Sequence, residues 1–173
     1  MGKTEDNLKV AFVGESQARN KYNYFAEIAR KEGYHYIAKI IEEISENEKY
    51  HALEEYKLLY GENNTAVNLK EAIDGEDYES EEMYPKFAIE AEVEGNTAAA
   101  ILFTQIAKIE KHHREQFKHL LKLVETGSVF KREKPIKWKC SICGYIYDGN
   151  EPPNRCPYCK RPREYYEPAN LDV

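Results

Sequence analysis

Cysteine is missing from the first 139 residues of this 173-residue chain. That absence excludes a disulfide framework spread through the fold, and the four cysteines in the tail point instead to one local site. Basic charge is not in excess: 25 Lys and Arg stand against 31 Asp and Glu, for a net charge of −6. The basic face of a nucleic-acid binder is therefore not expected. The N-terminus, MGKTEDNLKV, lacks the apolar stretch of a secretory signal, and Asp6 stands where a myristoylation site needs Ser or Thr. No apolar run nears the length of a membrane span. Asn63-Asn64-Thr65 matches a glycosylation acceptor, which has no use without secretion. A glycine-rich dinucleotide fingerprint is also missing, so NADH binding by that route is not expected. These absences leave a cytoplasmic protein, with no membrane or nucleic-acid partner, large enough for one medium domain and one small one.

What is present is mostly helical pattern. The periodicity predicts helices over 8–31, 36–60, 69–94 and 97–126, closing at Gly33, Gly61, Gly95 and Gly127. Pro85 falls inside the third and must kink or break it. Long helices joined by short loops favour an antiparallel bundle. Residues 128–137, with Lys131, Arg132, Lys134 and Pro135, read as a linker; from Trp138 onward Cys, Pro, Gly and Tyr take over. The expected fold is mainly α, a ferritin-like four-helix bundle over 1–134 followed by a small four-cysteine domain over 135–173.

The bundle repeats itself. A shift of 61 places Ala11, Gly14 and Glu15 on Ala72, Gly75 and Glu76, while a shift of 62 places Phe25, Ala26, Ala29 and Gly33 on Phe87, Ala88, Ala91 and Gly95. The second shift also places Glu48 and His51 on Glu110 and His113. The apolar stripes turn polar at those positions. Ile37, Ile41 and Ile44 lead to Glu48 and His51; Leu102 and Ile106 lead to Glu110 and His113. Leu8 and Phe12 lead to Glu15, with Tyr22 two turns on, and Glu76 and Glu79 share a face with Met83 and Phe87. A single such residue is usually solvated or locally paired. Two Glu-x-x-His pairs at one phase, with repeat-related Glu15 and Glu76, favour inward-facing acids. Five carboxylates in one core could not stay ionised unaided. A pair of cations resolves that conflict, and carboxylate with imidazole suits iron or manganese better than copper. One Glu from each of two helices and Glu-x-x-His from each of the other two is the ferritin-like di-iron constellation; Glu79 is an additional acid.

In the tail, Cys140-x-x-Cys143 and Cys156-x-x-Cys159 form two knuckles that can make a tetrahedral four-thiolate site. Zinc and iron both suit it. Trp138, Tyr145, Tyr147 and Tyr158, together with a neighbouring di-iron pattern that needs electrons, tip the balance to iron.

Together, Gly14-Glu15-Ser16-Gln17-Ala18-Arg19-Asn20-Lys21-Tyr22, the two Glu-x-x-His pairs, Glu82-Met83-Tyr84-Pro85 and the tail from Trp138 resemble the rubrerythrin family over nearly the whole chain. The resemblance implies hydrogen peroxide reduction at a di-iron site, with a rubredoxin-like iron as relay. It implies rubredoxin or an NAD(P)H-dependent reductase as external donor, and a homodimer or larger assembly. By position, Glu15, Glu48, Glu76, Glu79, Glu110 and His113 would be di-iron ligands. His51 would replace Glu79 on one iron upon reduction. Tyr22 and Tyr84 would hydrogen-bond the carboxylates, and Cys140, Cys143, Cys156 and Cys159 would hold the single iron. Two competing expectations are a ferritin-type ferroxidase, which needs no electron relay, and a structural bundle carrying a partner-binding zinc ribbon.

Overall fold

The computed structural model describes residues 2–170; Met1 and residues 171–173, the outermost ends of the two expected domains, lie outside them. The chain divides into two compact units, Met1–Asn63 and Asn64–Val173.

The first unit is a helical hairpin of α1 (Lys3–Lys31) and α2 (His35–Tyr60). Helix α1 begins before its first apolar stripe residue because Glu5 and Asp6 occupy its first turn, where carboxylates suit the helix dipole. Its end is a Schellman turn. Gly33 takes φ +87°, and the Tyr34 N–H donates to Ala29 O at 2.8 Å. Ala26, Ala29 and Ala38 are buried at the contact of the two helices, so their backbones approach closely. Arg30 pairs with Glu42 across the hairpin. Buried Ser45 donates to Arg19 O at 2.9 Å, tying α2 to α1 one turn beyond Glu15.

The second unit opens with α3 (Thr65–Tyr78), a π turn (Glu79–Met83) and α4 (Tyr84–Val93), then α5 (Thr97–Glu125). Helix α3 starts four residues earlier than expected, since Asn64 caps it by accepting the Val67 N–H at 3.1 Å. The turn between α4 and α5 copies the one in the first unit: Gly95 takes φ +74° and the Asn96 N–H donates to Ala91 O at 2.8 Å. The buried alanines are copied too, Ala88, Ala91 and Ala100 lying at the repeat positions of Ala26, Ala29 and Ala38. Pro85 neither ends nor sharply breaks the helical run. It sits in the first turn of α4, where its missing N–H costs nothing, and the preceding turn widens so that the Tyr84 N–H donates to Glu79 O, five residues back.

The π turn accounts for the change of repeat shift from 61 to 62. One extra residue lies between Glu76 and Tyr84 relative to Glu15 and Tyr22, and the wide turn absorbs it without ending the helix.

The small C-terminal fold is a three-stranded antiparallel sheet, ordered β2 (Ile146–Gly149), β1 (Ile136–Cys140), β3 (Tyr166–Pro168). Trp138, Cys140, Cys156 and Tyr166 form its core. The expected linker is tied to it: Asn150 Nδ2 donates to the carbonyls of Arg132 and Glu133 at 3.0 and 2.8 Å.

Candidate metal centres

The carboxylates and histidines gather in two groups, one in each unit. In the first, Glu15, Glu48 and His51 bring one donor atom each to within 4.8 Å of one another; in the second, Glu76, Glu110 and His113 do the same. The geometry repeats closely. His51 Nδ1 lies 2.7 Å from Glu48 and 4.0 Å from Glu15. His113 Nδ1 lies 2.7 Å from Glu110 and 3.8 Å from Glu76. Positions i and i+3 share a helix face, which is why each Glu-x-x-His pair closes on itself. Glu48 and Glu110 are each only 16% exposed. Within each unit, two acids and one histidine form a three-residue group.

Electrostatics show what such a half requires. Burial, and then the charge of Glu48, raises the Glu15 carboxyl above its ordinary pKa. Burial and the charge of Glu110 do the same to Glu76. Glu76 Oε2 is also buried without a hydrogen-bond partner. Crowded acids, an orphaned oxygen and an imidazole nitrogen facing them make a donor set suited to a hard, multivalent cation. The residues fit the di-iron group.

These shifts predict an unusual pH response for the metal-free protein. Glu15 and Glu76 hold their protons more tightly folded than unfolded, so their contribution favours the native state at low pH and fades as pH rises through the folded values. Melting in excess chelator is expected at higher temperature as pH falls from neutrality to about 5.5. A melting temperature that falls over that interval would contradict the crowding.

Tyr84 stands beside the second group. Burial raises its hydroxyl pKa, and the charges of Glu79, Glu110 and Glu76 add to the effect. Glu79 lies outside the three-residue group, near Glu76 and Tyr84. Tyr22, the repeat counterpart of Tyr84, packs on Phe25 with ring centroids 6.2 Å apart, as Tyr84 packs on Phe87 at 6.4 Å.

Sequence reasoning missed Arg114. It follows His113 on α5, is buried, and pairs with Asp77, with Glu81 at 3.1 Å and with Glu115 at 3.0 Å. Asp77 follows Glu76, so this network clamps α3 to α5 directly behind the acids. Its repeat counterpart is Ala52, so the repeat gave no hint of it.

The four cysteines form the other centre. Cys140 and Cys159 sulfurs lie 3.7 Å apart, and those of Cys143 and Cys156 lie 3.6 Å apart. Bonded sulfurs would stand about 2.05 Å apart. A tetrahedron with metal–sulfur bonds of about 2.3 Å has edges of about 3.8 Å, and the cluster matches it. Each knuckle folds back through one N–H, Gly144 to Cys140 O at 2.8 Å and Lys160 to Cys156 O at 3.0 Å, and both donors are left-handed, at φ +76° and +62°. Burial pushes the Cys156 thiol up, but the Cys159 N–H, the Tyr166 hydroxyl and the Tyr158 N–H outweigh it and bring the thiol down to about 6. The Tyr166 ring is buried against Cys156.

Comparison with known proteins agrees with both centres. A family model described as rubrerythrin matches residues 6–121, and one described as the rubredoxin-like domain of rubrerythrin matches residues 138–167. The chain is 43% identical to the rubrerythrin of Porphyromonas gingivalis, over 98% of this chain and 92% of that protein. It is also 43% identical to the rubrerythrin of Clostridium perfringens, over 95% and 93%. Among solved structures it is similar to fully reduced, all-ferrous nigerythrin, at 32% identity, covering 97% of this chain and 87% of that one, with a TM-score of 0.38.

Proposed function

The chain belongs to the rubrerythrin family, whose mark is a di-iron helical frame followed by a rubredoxin-like four-cysteine domain, and from that premise we propose that it reduces hydrogen peroxide to water. The observation that carries the reading is the pairing of two matched carboxylate–imidazole halves with a four-thiolate site on one chain. Storage of iron has no need of the second centre.

In this reading Glu15, Glu48 and His51, with Glu76, Glu79, Glu110 and His113, hold the two irons, and Cys140, Cys143, Cys156 and Cys159 hold the third. Bound iron would supply there the two electrons that peroxide reduction needs and a Lewis acid for the peroxide oxygens. Each peroxide takes two electrons and two protons and leaves as two waters. Glu48 and Glu110, each 16% exposed and 2.7 Å from the imidazole of its own pair, would offer carboxylate oxygens to a cation. Tyr84 keeps its proton at neutral pH, because burial and three neighbouring carboxylates oppose its ionisation, and so its Oη is a standing hydrogen-bond donor. The four thiolates would hold an iron able to carry single electrons, supplied by an external rubredoxin or NAD(P)H-dependent reductase in the cytoplasm. No helix among the described residues is long and apolar enough to cross a membrane.

Rapid mixing tests this. Anaerobically reduced protein is expected to reoxidise both iron sites quickly with peroxide and slowly with dioxygen. Equal or reversed rates would rule out the peroxidase assignment and favour a ferroxidase.

A further inference from the structure

We propose that the second cysteine knuckle, Cys156 to Lys160 with Arg155 and Arg161 at its flanks, is the docking surface for an acidic redox protein that delivers electrons to the four-thiolate site. The inference rests on the reading of the tail as an electron relay, and it names the face used and the chemistry of the partner.

The charge on this face is uncompensated. The chain as a whole is acidic, with a net charge of −6, yet residues 155–163 hold Arg155, Lys160, Arg161 and Arg163 and no acid. Neighbouring cations are neutralised within the fold. Lys137 pairs with Asp148 at 3.1 Å, Lys139 with Glu167 at 2.8 Å and Arg163 with Glu151 at 3.6 Å. Arg155, Lys160 and Arg161 are exposed, and among the described residues they pair with no carboxylate. Uncharged groups hold them instead. Lys160 Nζ donates to the Pro157 carbonyl at 2.6 Å, and Arg155 Nη1 donates to the Lys160 carbonyl at 3.4 Å. The Arg161 guanidinium lies 5.8 Å from the centre of the Tyr165 ring. Positive charge that is held in place and left without a counter-charge steers an anionic partner, and it gives up little side-chain freedom on docking.

The accessible edge of the thiolate cluster lies on the same face. Cys140 and Cys156 are fully buried, whereas Cys159 is partly exposed. It stands in the chain between Lys160 and Tyr158, whose ring is 77% exposed. A bare tyrosine among arginines has the composition of a binding hot spot. Cys143 is also partly exposed, but its knuckle, Ser141 to Tyr145, carries no charged residue. Charge therefore selects the Cys159 edge for a steered encounter. In the transfer the donor is oxidised by one electron and the four-thiolate iron goes from ferric to ferrous; no bond forms or breaks.

Anaerobic stopped-flow mixing of the oxidised, iron-loaded full chain with a reduced acidic flavodoxin tests this, because flavin and thiolate-iron absorption can be followed separately. The second-order rate of iron reduction should fall about tenfold or more as salt rises from about 0.02 to about 0.3 M. An Arg155→Glu, Arg161→Glu double variant should be about tenfold slower at low salt and should lose most of that salt dependence. The matching Arg→Gln double variant should fall between the two. Photoreduced deazariboflavin, small and uncharged, should reduce all three proteins at one rate, which separates docking from any damage to the thiolate site. A parent rate indifferent to salt, a reversed variant as fast as the parent, or a loss shared with the small reductant would overturn the proposal. Charge-steered reduction in a protein whose reduced iron meets peroxide no faster than dioxygen would uphold the docking face and sink the peroxidase reading, so the two fail separately.

Discussion

Replacing Glu110 with alanine is expected to abolish peroxide turnover and empty the bundle of iron, while the visible spectrum of the four-thiolate iron stays unchanged. Glu110 sits 2.7 Å from His113 and raises the pKa of Glu76 beside it. Its removal takes from the half-site both a charge and the carboxylate that orients the imidazole. Helix α5 should survive, since alanine is the better helix former, and the metal-free variant should melt no lower than the parent because Glu76 loses its repelling neighbour. Loss of function with apo stability kept is the sign of a residue held for chemistry at a cost to the fold. Iron analysis, calorimetry with chelator and peroxide assays read the three parts separately. A Glu110→Ala protein that retains full iron and turnover would remove α5 from the cage.

Trp138→Ala has the opposite signature. The indole is fully buried in the core of the small domain, its Nε1–H donates to Gly149 O at 2.9 Å, and the Arg132 guanidinium lies 5.4 Å from its ring centre. Truncating a buried aromatic costs about 3–5 kcal/mol, and the stranded Gly149 carbonyl adds roughly 1 kcal/mol or more. A fold this short has little stability to spare. The variant is expected to lose its thiolate-iron absorption at temperatures where the parent keeps it, and to become a protease target in the tail, while the helices melt as before. Retention of that absorption and of the parent's melting in the tail would show that the four cysteines and their metal hold the domain without the tryptophan.

Much of this was legible in the residues. Gly33, Gly61, Gly95 and Gly127 were expected to close helices, and all four take positive φ. The expected four-thiolate cluster is present, the sulfurs of Cys140 and Cys159 lying 3.7 Å apart and those of Cys143 and Cys156 3.6 Å apart. The Glu-x-x-His pairs were legible as faces, since i and i+3 must coincide on a helix. Their gathering into one three-residue group in each unit was not, because periodicity tells which way a side chain points within its own hairpin and nothing about what covers it. Arg114 escaped because charged residues are read as solvated. Its burial depends on Asp77 and Glu81, far away in sequence, and on the adjacent Glu115. The early start of α3 rests on the Asn64 cap, a polar signal that lies ahead of the apolar pattern.

The wide turn at Glu79–Met83 bears on how the two halves came to differ. Glu79 aligns with Gln17 or Ala18 of the first half, depending on the side of the slip, and has no acidic counterpart there. A tandem copy would have begun with two equal ends. The helix absorbs the one-residue difference between the repeats by widening rather than unravelling, and the acid that only the second repeat carries is the first residue of that wide turn. The two repeats therefore share a frame but not a side-chain set: Tyr84 has the carboxylate of Glu79 nearby, and the first repeat has no acid at the matching place.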